Sequence, residues 1–209
     1  MGEVDIFNTT KKYDVIYADP PWSYQQHGNG KGTAKGKYET MSTKEICDLP
    51  IKEISSKRAV LFMWATFPNI REALKVIEKW GFIYKTAAFL WVKKNKKTDS
   101  YFWGMGAYTR ANAEVCLLAI SKNTRAQDIV ERHDIHQIID APIEKHSKKP
   151  DIVRKKIKAL VGKELQCIEL FARQQSKGWD CWGNEVGKLD DGQMKLFEEE
   201  QDGKEEKGG

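Results

Sequence analysis

Five short apolar runs, set apart by helical patterns and loops, are the feature that most restricts what this chain can fold into. They are Asp14-Val-Ile-Tyr-Ala-Asp19, Ala59-Val-Leu-Phe-Met-Trp64, Ala87-Ala-Phe-Leu-Trp-Val92, Glu114-Val-Cys-Leu-Leu-Ala-Ile120 and Gln166-Cys-Ile-Glu-Leu-Phe171. Each is too short for a membrane span and apolar on both faces, as strands covered on two sides must be. Between them, Ile70, Ala73, Leu74 and Ile77 share one helical face, with Asn69 as the expected cap and Gly81 as the stop. Pro150 opens a second helix, in which Val153, Ile157 and Leu160 face inward and Gly162 ends the pattern. Ser42-Thr-Lys-Glu45 has the form of a capping box. Strands alternating with helices predict an α/β sheet with helices on both faces.

Composition narrows the class. With 209 residues, 40% of them hydrophobic, the chain suits one folded domain with a tail. No signal peptide opens the sequence, and its four cysteines form no C-x-x-C pair. The expectation is a cytoplasmic protein with reduced thiols and no membrane segment. Net charge is +5, and the acidic segment at the C-terminal end leaves a more basic body, which fits a polyanionic partner. Residues 23–38 and 93–110 read as loops, the first rich in Gly and Lys, the second basic and then aromatic. Residues 187–209 are polar and acidic, and disorder is expected there.

The sharpest local feature is Asp19-Pro20-Pro21-Trp22, directly after the first apolar run. Two prolines end a strand, because neither donates a ladder hydrogen bond. They set a stiff turn that carries the Asp19 carboxylate, backbone carbonyls and the Trp22 ring at the carboxyl edge of the sheet, where open α/β sheets bind ligands. That arrangement suits methylation of an exocyclic amine on a flat base. The lone pair of such an amine is delocalised into the ring. A carboxylate oxygen and a prolyl carbonyl that accept its two N–H bonds draw the nitrogen toward a tetrahedral geometry and free the lone pair for in-line attack. Trp22 offers a face for the base, a contact typically worth about 1–3 kcal/mol. A plain strand-ending turn with a core Trp is the competing reading.

Asp-Pro-Pro-Trp resembles the catalytic signature of adenine-N6 methyltransferases, in the form of the family typified by the seventy-kilodalton catalytic subunit of the messenger-RNA adenosine methyltransferase (the MT-A family). The similarity extends through Tyr38-Glu-Thr-Met-Ser-Thr-Lys-Glu-Ile46, Leu61-Phe-Met-Trp64, Trp80-Gly-Phe82, Phe89-Leu-Trp-Val-Lys93 and Tyr108-Thr-Arg-Ala-Asn-Ala-Glu114. It continues through His146-Ser-Lys-Lys-Pro-Asp151, Glu169-Leu-Phe-Ala-Arg173 and Gly178-Trp-Asp-Cys-Trp-Gly-Asn-Glu185. Several spaced motifs in one order are more specific than any one alone.

The resemblance implies a Rossmann-like methyltransferase fold with a permuted motif order and S-adenosylmethionine as donor. It implies a catalytic domain over residues 1–187 and a tail over 188–209. It places Asp19, Pro20, Pro21 and Trp22 in catalysis. It assigns the cofactor to Asp5, Ile6, Asp19, Lys149, Arg173, Gln175, Ser176, Asn184 and Glu185, with Gln175 and Ser176 standing where the eukaryotic pattern has His and Asn. The two loops are expected to meet nucleic acid through Tyr24, Lys31, Lys35, Lys37, Lys93, Lys94, Tyr101 and Trp103, with Lys96 and Lys97 as further phosphate contacts. Core packing is the expectation for Trp91.

Other readings fall on spacing. Gly30 to Gly36 does not match a P-loop, and no Pro-Cys nucleophile is present. His133-x-x-His136 lacks a third ligand nearby in sequence, so no metal is expected. In the tail, Gln193-Met-Lys-Leu-Phe197 resembles the Q-L-[SD]-L-F peptide by which bacterial replication proteins dock on the sliding clamp, with Gln193, Leu196 and Phe197 as anchors. The expected activity is N6 methylation of adenine in DNA. RNA methylation and a non-catalytic nucleic-acid-binding subunit are the alternatives, and a homodimer or heterodimer is an open expectation.

Overall fold

The computed structural model describes residues 2–23, 40–144, 148–162 and 164–184. Among them, the chain forms β1 (Tyr13–Ala18), α1 (Thr43–Cys47), α2 (Ile51–Ile54), β2 (Ser55–Ala65), α3 (Ile70–Lys79), β3 (Phe82–Lys94) and β4 (Ala113–Ser121), then β5 (Ile138–Pro142), α4 (Ile152–Val161), β6 (Cys167–Leu170) and β7 (Asp180–Trp182). The strands join in one mixed sheet in the order β5-β3-β4-β2-β1-β6-β7. β4 runs antiparallel to both β2 and β3, while the β1–β2, β1–β6, β6–β7 and β3–β5 pairs are parallel. Every strand but β4 therefore ends at one edge of the sheet, and β4 begins there.

The period of two along each strand builds both cores. Ile16, Ala18, Leu61 and Met63 face one side, where Ile46 of α1, Ile51 and Ile54 of α2, and Ala73, Val76 and Ile77 of α3 cover them. Val15, Tyr17, Val60, Phe62 and Trp64 face the other, against Val153, Ile157 and Val161 of α4 and the Trp179 ring. Helices on both faces match the sequence expectation.

The Ser42 box forms in full: the Glu45 amide donates to Ser42 Oγ at 3.2 Å and the Ser42 amide donates to a Glu45 carboxylate oxygen at 2.7 Å. Gly162 ends α4 at φ 88°, a conformation that excludes most side chains. Asn69 corrects the expectation. It holds the N-cap position of α3 as expected, but as the last residue of a 3-10 turn (Phe67–Asn69) it makes no side-chain cap, and its amide donates to Thr66 Oγ1 at 3.0 Å. Trp91 is core, as expected, with its indole N–H donating to the Ala141 carbonyl at 2.9 Å.

Pairing across long separations supplies what periodicity did not reveal. β3 begins at Phe82 rather than Ala87: Lys85 and Thr86 separate Phe82-Ile83-Tyr84 from the later apolar run, and most of that first half is solvent-exposed. β5 and β7 are short edge pieces, and the Pro142 ring ends β5 where no further partner needs its N–H. The N-terminal segment covers the β7 edge: the Val4 amide donates to Cys181 O at 2.9 Å and the Cys181 amide donates to Gly2 O at 3.0 Å. No helix among the described residues is long and apolar enough to cross a membrane.

A buried carboxylate ties that segment down. Asp180, 1% exposed, accepts from the Gly2 amide at 2.8 Å, Lys11 Nζ at 2.8 Å and the Tyr13 hydroxyl at 2.9 Å. Burial raises its pKa, but these three donors outweigh it and hold the carboxyl below the ordinary value of 3.8. Asp180→Ala orphans the Tyr13 hydroxyl and the Gly2 amide and is expected to lower stability by about 2–3 kcal/mol in urea unfolding at pH 7. Because the folded pKa is depressed, the contribution is fully present above about pH 4 and fades as pH falls through the folded value. The gap between wild type and variant should therefore narrow in acid; a gap that widens there would contradict the assignment.

Candidate active site

The edge at which most strands end gathers the charged side chains of the fold. β1 delivers Asp19 to it, and the Pro-Pro turn then folds back: the Trp22 amide donates to Pro20 O at 2.8 Å and the Met41 amide donates to Pro21 O at 3.0 Å. Each prolyl carbonyl keeps a second lone pair for another donor. Trp22 does not stand free. It is 8% exposed, packs in the core and donates its indole N–H to the Trp64 carbonyl at 3.0 Å. The ring thus braces the turn against β2, and only its rim is left to meet a base.

Beside the turn runs a chain of alternating charges. Lys149 Nζ lies 2.8 Å from Asp19 Oδ2 and 3.3 Å from Glu114 Oε2, with the Trp64 ring centroid 5.6 Å away. Lys93 Nζ bonds the other oxygen of Glu114 and lies 5.2 Å from the centre of the Trp91 ring. Topology explains the meeting: Asp19 follows the end of β1, Glu114 starts β4, Lys93 ends β3, and Lys149 comes from the segment before α4. Burial works against the charge on Lys149, yet Asp19 and Glu114 together hold its pKa above the ordinary lysine value. Burial likewise opposes ionisation of Glu114, and the Lys149 and Lys93 cations outweigh it and lower its pKa. Lys149 and Glu114 are therefore both charged near neutrality.

A second ion pair stands at the junction of β1 and β6. Arg154 of α4 grips Glu169 of β6 with a fork, Nε to Oε2 at 2.6 Å and Nη2 to Oε1 at 2.6 Å, and its Nη1 reaches Asp151 at 2.7 Å. Burial pushes the Glu169 carboxyl up against the pull of Arg154. Between the two ion pairs lies a small open cleft, lined by Tyr17, Asp19, Lys149, Arg154, Glu169 and Phe171, among others. Its position follows from the chain path. After β1 the chain passes to β2 on one side, and after β6 it passes to β7 on the other, so β1 and β6 flank a topological switch point.

Phe171 takes φ 60° directly after β6, a backbone conformation uncommon for a bulky side chain. The turn is locked from behind by the bond from the Ala172 amide to Trp182 O at 2.9 Å. Gly183 is required there, since a Cβ would meet Ala172 O at 2.3 Å. Phe171 and Phe7 both pack edge-on to the Trp182 ring, at 5.4 and 6.2 Å between centroids. Asp5 is exposed two residues before Phe7, Ile6 is buried at 2%, and Asn184 is exposed just after β7. Arg173 lines the pocket, and Gln175 and Ser176 line an adjoining cleft with Gly178.

Of the residues singled out from sequence, Asp19, Lys149 and Arg173 line the pocket, whereas Asp5, Ile6 and Asn184 are not among its lining residues. Lys93 pairs with the buried Glu114, whereas Lys94 pairs with Asp99 and Asp140 at the surface. Tyr101 and Trp103 are 58% and 72% exposed, with Arg110 over the Trp103 ring at 4.8 Å. Tyr24, Lys31, Lys35, Lys37, Glu185, Gln193, Leu196 and Phe197 lie outside the described residues. Sequence reading missed Tyr17, Glu114, Arg154, Glu169 and Phe171. Two of these were visible as acids inside otherwise apolar runs, Glu114 before Val-Cys-Leu-Leu and Glu169 between Ile168 and Leu170. A charge in a buried strand needs a partner, and that is a signal for a site.

The MT-A70 family model matches residues 13–185. The chain is 33% identical over 193 residues to the type II methyltransferase M.MunI of Mycoplasma sp, covering 84% of this chain and 78% of that protein. It is 26% identical over 195 residues to the human N(6)-adenine-specific methyltransferase METTL4, covering 88% of this chain but only 39% of the larger relative. A third similarity, 28% over 142 residues, is to the Arabidopsis thaliana N6-adenosine-methyltransferase non-catalytic subunit MTB. A match over most of the fold, from β1 through β7 and including both charged strand ends, makes this chain a member of the MT-A70 family.

Proposed function

We propose that this chain transfers a methyl group from S-adenosylmethionine to the N6 amine of adenine, with DNA as the acceptor. The observation that carries the reading is the Asp19 turn, pinned by Lys149 at the mouth of the switch-point pocket. DNA is preferred because the type II methyltransferase is more similar to this chain than METTL4 is. RNA is the alternative, on a similarity of 23% to the N6-methyladenosine RNA methyltransferase MTA1 of Pyricularia oryzae.

The pocket residues fit the donor. Four cations, Lys148, Lys149, Arg154 and Arg173, and two acids, Asp19 and Glu169, line one space, so both charges of a ligand with a zwitterionic amino-acid end find partners there. Lys149 is the residue assigned to the donor carboxylate. The segment around Asp5 and Ile6, with Arg173, Gln175, Ser176, Asn184 and Glu185, is assigned to the ribose and adenine. We read the motif order as permuted, with the catalytic strand β1 first and the cofactor strands β6 and β7 last. The turn at Phe171 then stands where other nucleotide-binding folds place a glycine-rich loop.

When bound, S-adenosylmethionine supplies an electrophilic methyl group. The protein's part is positioning and electrostatics. Lys149 occupies Asp19 Oδ2, which leaves Oδ1 to accept one N–H of the adenine amine, while the free lone pair of a prolyl carbonyl accepts the other. The buried Lys149–Glu114–Lys93 chain fixes the Asp19 carboxylate in place. Trp22 holds the turn, and its rim packs on the base.

Residues 1–187 form the catalytic domain in this reading, and 188–209 a tail whose Gln193–Phe197 peptide docks on a sliding clamp. The exposed Tyr101 and Trp103 contact the nucleic acid. A non-catalytic role is the weaker reading, since a binding subunit has no need for an aligned Asp19–Lys149 pair beside a charged pocket.

Asp19→Ala is expected to lower the rate of methyl transfer to N6 of adenine by a factor of about a hundred or more while the protein stays folded, with a lower melting temperature because Lys149 loses a buried partner. Labelled S-adenosylmethionine, offered with duplex DNA, single-stranded DNA and RNA, tests both parts. Substantial turnover in the variant would refute the role of the turn, and label confined to RNA would exchange the acceptor. Leu196→Ala with Phe197→Ala is expected to abolish retention on an immobilised bacterial sliding clamp while leaving turnover intact; unchanged retention would end the clamp reading.

A further inference from the structure

An adenine paired with thymine has one N–H of its N6 amine already engaged. The grip of Asp19 Oδ1 and a prolyl carbonyl on both N–H bonds therefore does not form inside a duplex. The Asp19 side chain is also recessed, 23% exposed. The base must leave the stack, and a side chain that takes its place holds the duplex open. We propose that Met105 and Tyr108, at the tip of the loop between β3 and β4, are the wedge that enters duplex DNA and fills that gap, with Trp103 and Arg110 as its brace. The inference rests on the DNA adenine acceptor proposed above.

Exposure is the first observation. Trp103, Met105 and Tyr108 are 72%, 92% and 101% exposed, the three most exposed large apolar side chains among the described residues, and one short stretch holds them all. None of them joins either core. Apolar surface gathered in water in this way marks a contact site.

Stiffness is the second. At the root of the loop the Phe102 amide donates to Lys93 O and the Lys93 amide donates to Asn112 O, both at 2.8 Å, and the Ala111 amide donates to Gly104 O at 3.2 Å. A Cβ at Gly104 would meet Ala111 O at 2.0 Å, and one at Gly106 would meet Thr109 O at 2.2 Å, so the two arms run backbone against backbone. The Arg110 guanidinium lies over the Trp103 ring at 4.8 Å and steadies it. A two-stranded ribbon of this kind fits the major groove. Methionine suits a wedge between base steps, and the tyrosine ring offers a face for stacking.

Position and charge complete the case. The ribbon springs from Lys93 and Asn112, beside the Lys93–Glu114–Lys149 chain that ends on Asp19. The chain from Tyr108 to Asn112 spans at most about 14 Å, so the tip stays close to the catalytic edge. Residues 95–112 carry Lys96, Lys97 and Arg110 against one acid, Asp99, which Lys94 already holds. An apolar tip with basic flanks matches a base stack between phosphate backbones better than it matches a protein face.

The methylated adenine is first mapped in DNA treated with the full-length protein and S-adenosylmethionine. Two duplexes are then built on that sequence, one fully paired and one with an abasic site opposite the target adenine. Met105→Ala with Tyr108→Ala is expected to slow methylation of the paired duplex at least about tenfold, and to come within about threefold of wild type on the abasic duplex, where the pair is already broken. The tip is exposed, so the variant is expected to keep the wild-type melting temperature.

An equal loss on both duplexes overturns the inference, because a plain surface contact does not depend on the target pair. An unchanged rate on the paired duplex overturns it as well, and so does methylation confined to single-stranded DNA. A wild-type oligomer that dissociates in the variant, read by analytical ultracentrifugation, also overturns it, since the tip then covers another protein chain. If wild type methylates no DNA at all, the acceptor reading falls and the inference falls with it. DNA methylation with equal losses on the two duplexes removes the inference alone.

Discussion

The Lys149 ammonium, held between Asp19 and Glu114 at the sheet edge, is the interaction on which the site depends. Three charges this deeply buried are stable only together. Removing one partner of a buried pair typically costs about 3–5 kcal/mol, because the other charge is left stranded in a poorly polarisable interior. The site therefore forms as a unit or not at all. Its geometry is set by where strands end, since Asp19, Glu114 and Lys93 sit on the ends of three different strands, and Lys149 comes from a fourth part of the chain.

The aromatic side chains frame these charges. Trp64 lies beside the Lys149 ammonium, donates its indole N–H to the Tyr17 hydroxyl at 2.7 Å and lends its carbonyl to Trp22. One residue of β2 thereby braces the Pro-Pro turn, contacts the central cation and anchors the phenol beside Arg154. Packing of this kind leaves little room for the Asp19 carboxylate to drift, and a reaction that works by positioning depends on that rigidity. The same packing accounts for Trp22 being mostly buried: its ring is needed as a brace before it is available as a platform.

Much of the frame was legible in the sequence. The five apolar runs all became strands, the capping box at Ser42 formed, and the glycines at 81 and 162 ended the helices expected of them. Asp19-Pro20-Pro21-Trp22 was legible because two prolines leave the backbone few choices. The errors have physical causes. The first half of β3 is largely exposed, and Lys85 and Thr86 cut Phe82-Ile83-Tyr84 off from the longer apolar run that follows. Asn69 lies within a preceding 3-10 turn, where its amide finds Thr66 first. Lys93 and Lys94 also pair with acids of the chain: Asp99 is close to Lys94 in sequence, but Glu114 and Asp140 lie 21 and 46 positions away and no local window reveals them.

By itself the sequence determined the chemical types at the site: a carboxylate on a stiff turn, a lysine before a helix, and acids embedded in apolar strands. It also determined the layering, because residues apolar on both sides of a strand need helices on both faces. Only the tertiary structure decided which charges meet. Parallel pairing of β1 with β6 sets Asp19 and Glu169 at one crevice, although 150 positions separate them in the chain. The antiparallel insertion of β4 turns Glu114 to the edge where Lys149 waits. Periodicity is a local property that neighbouring residues encode, whereas charge pairing at a strand end depends on sheet order and register, which only the folded chain possesses.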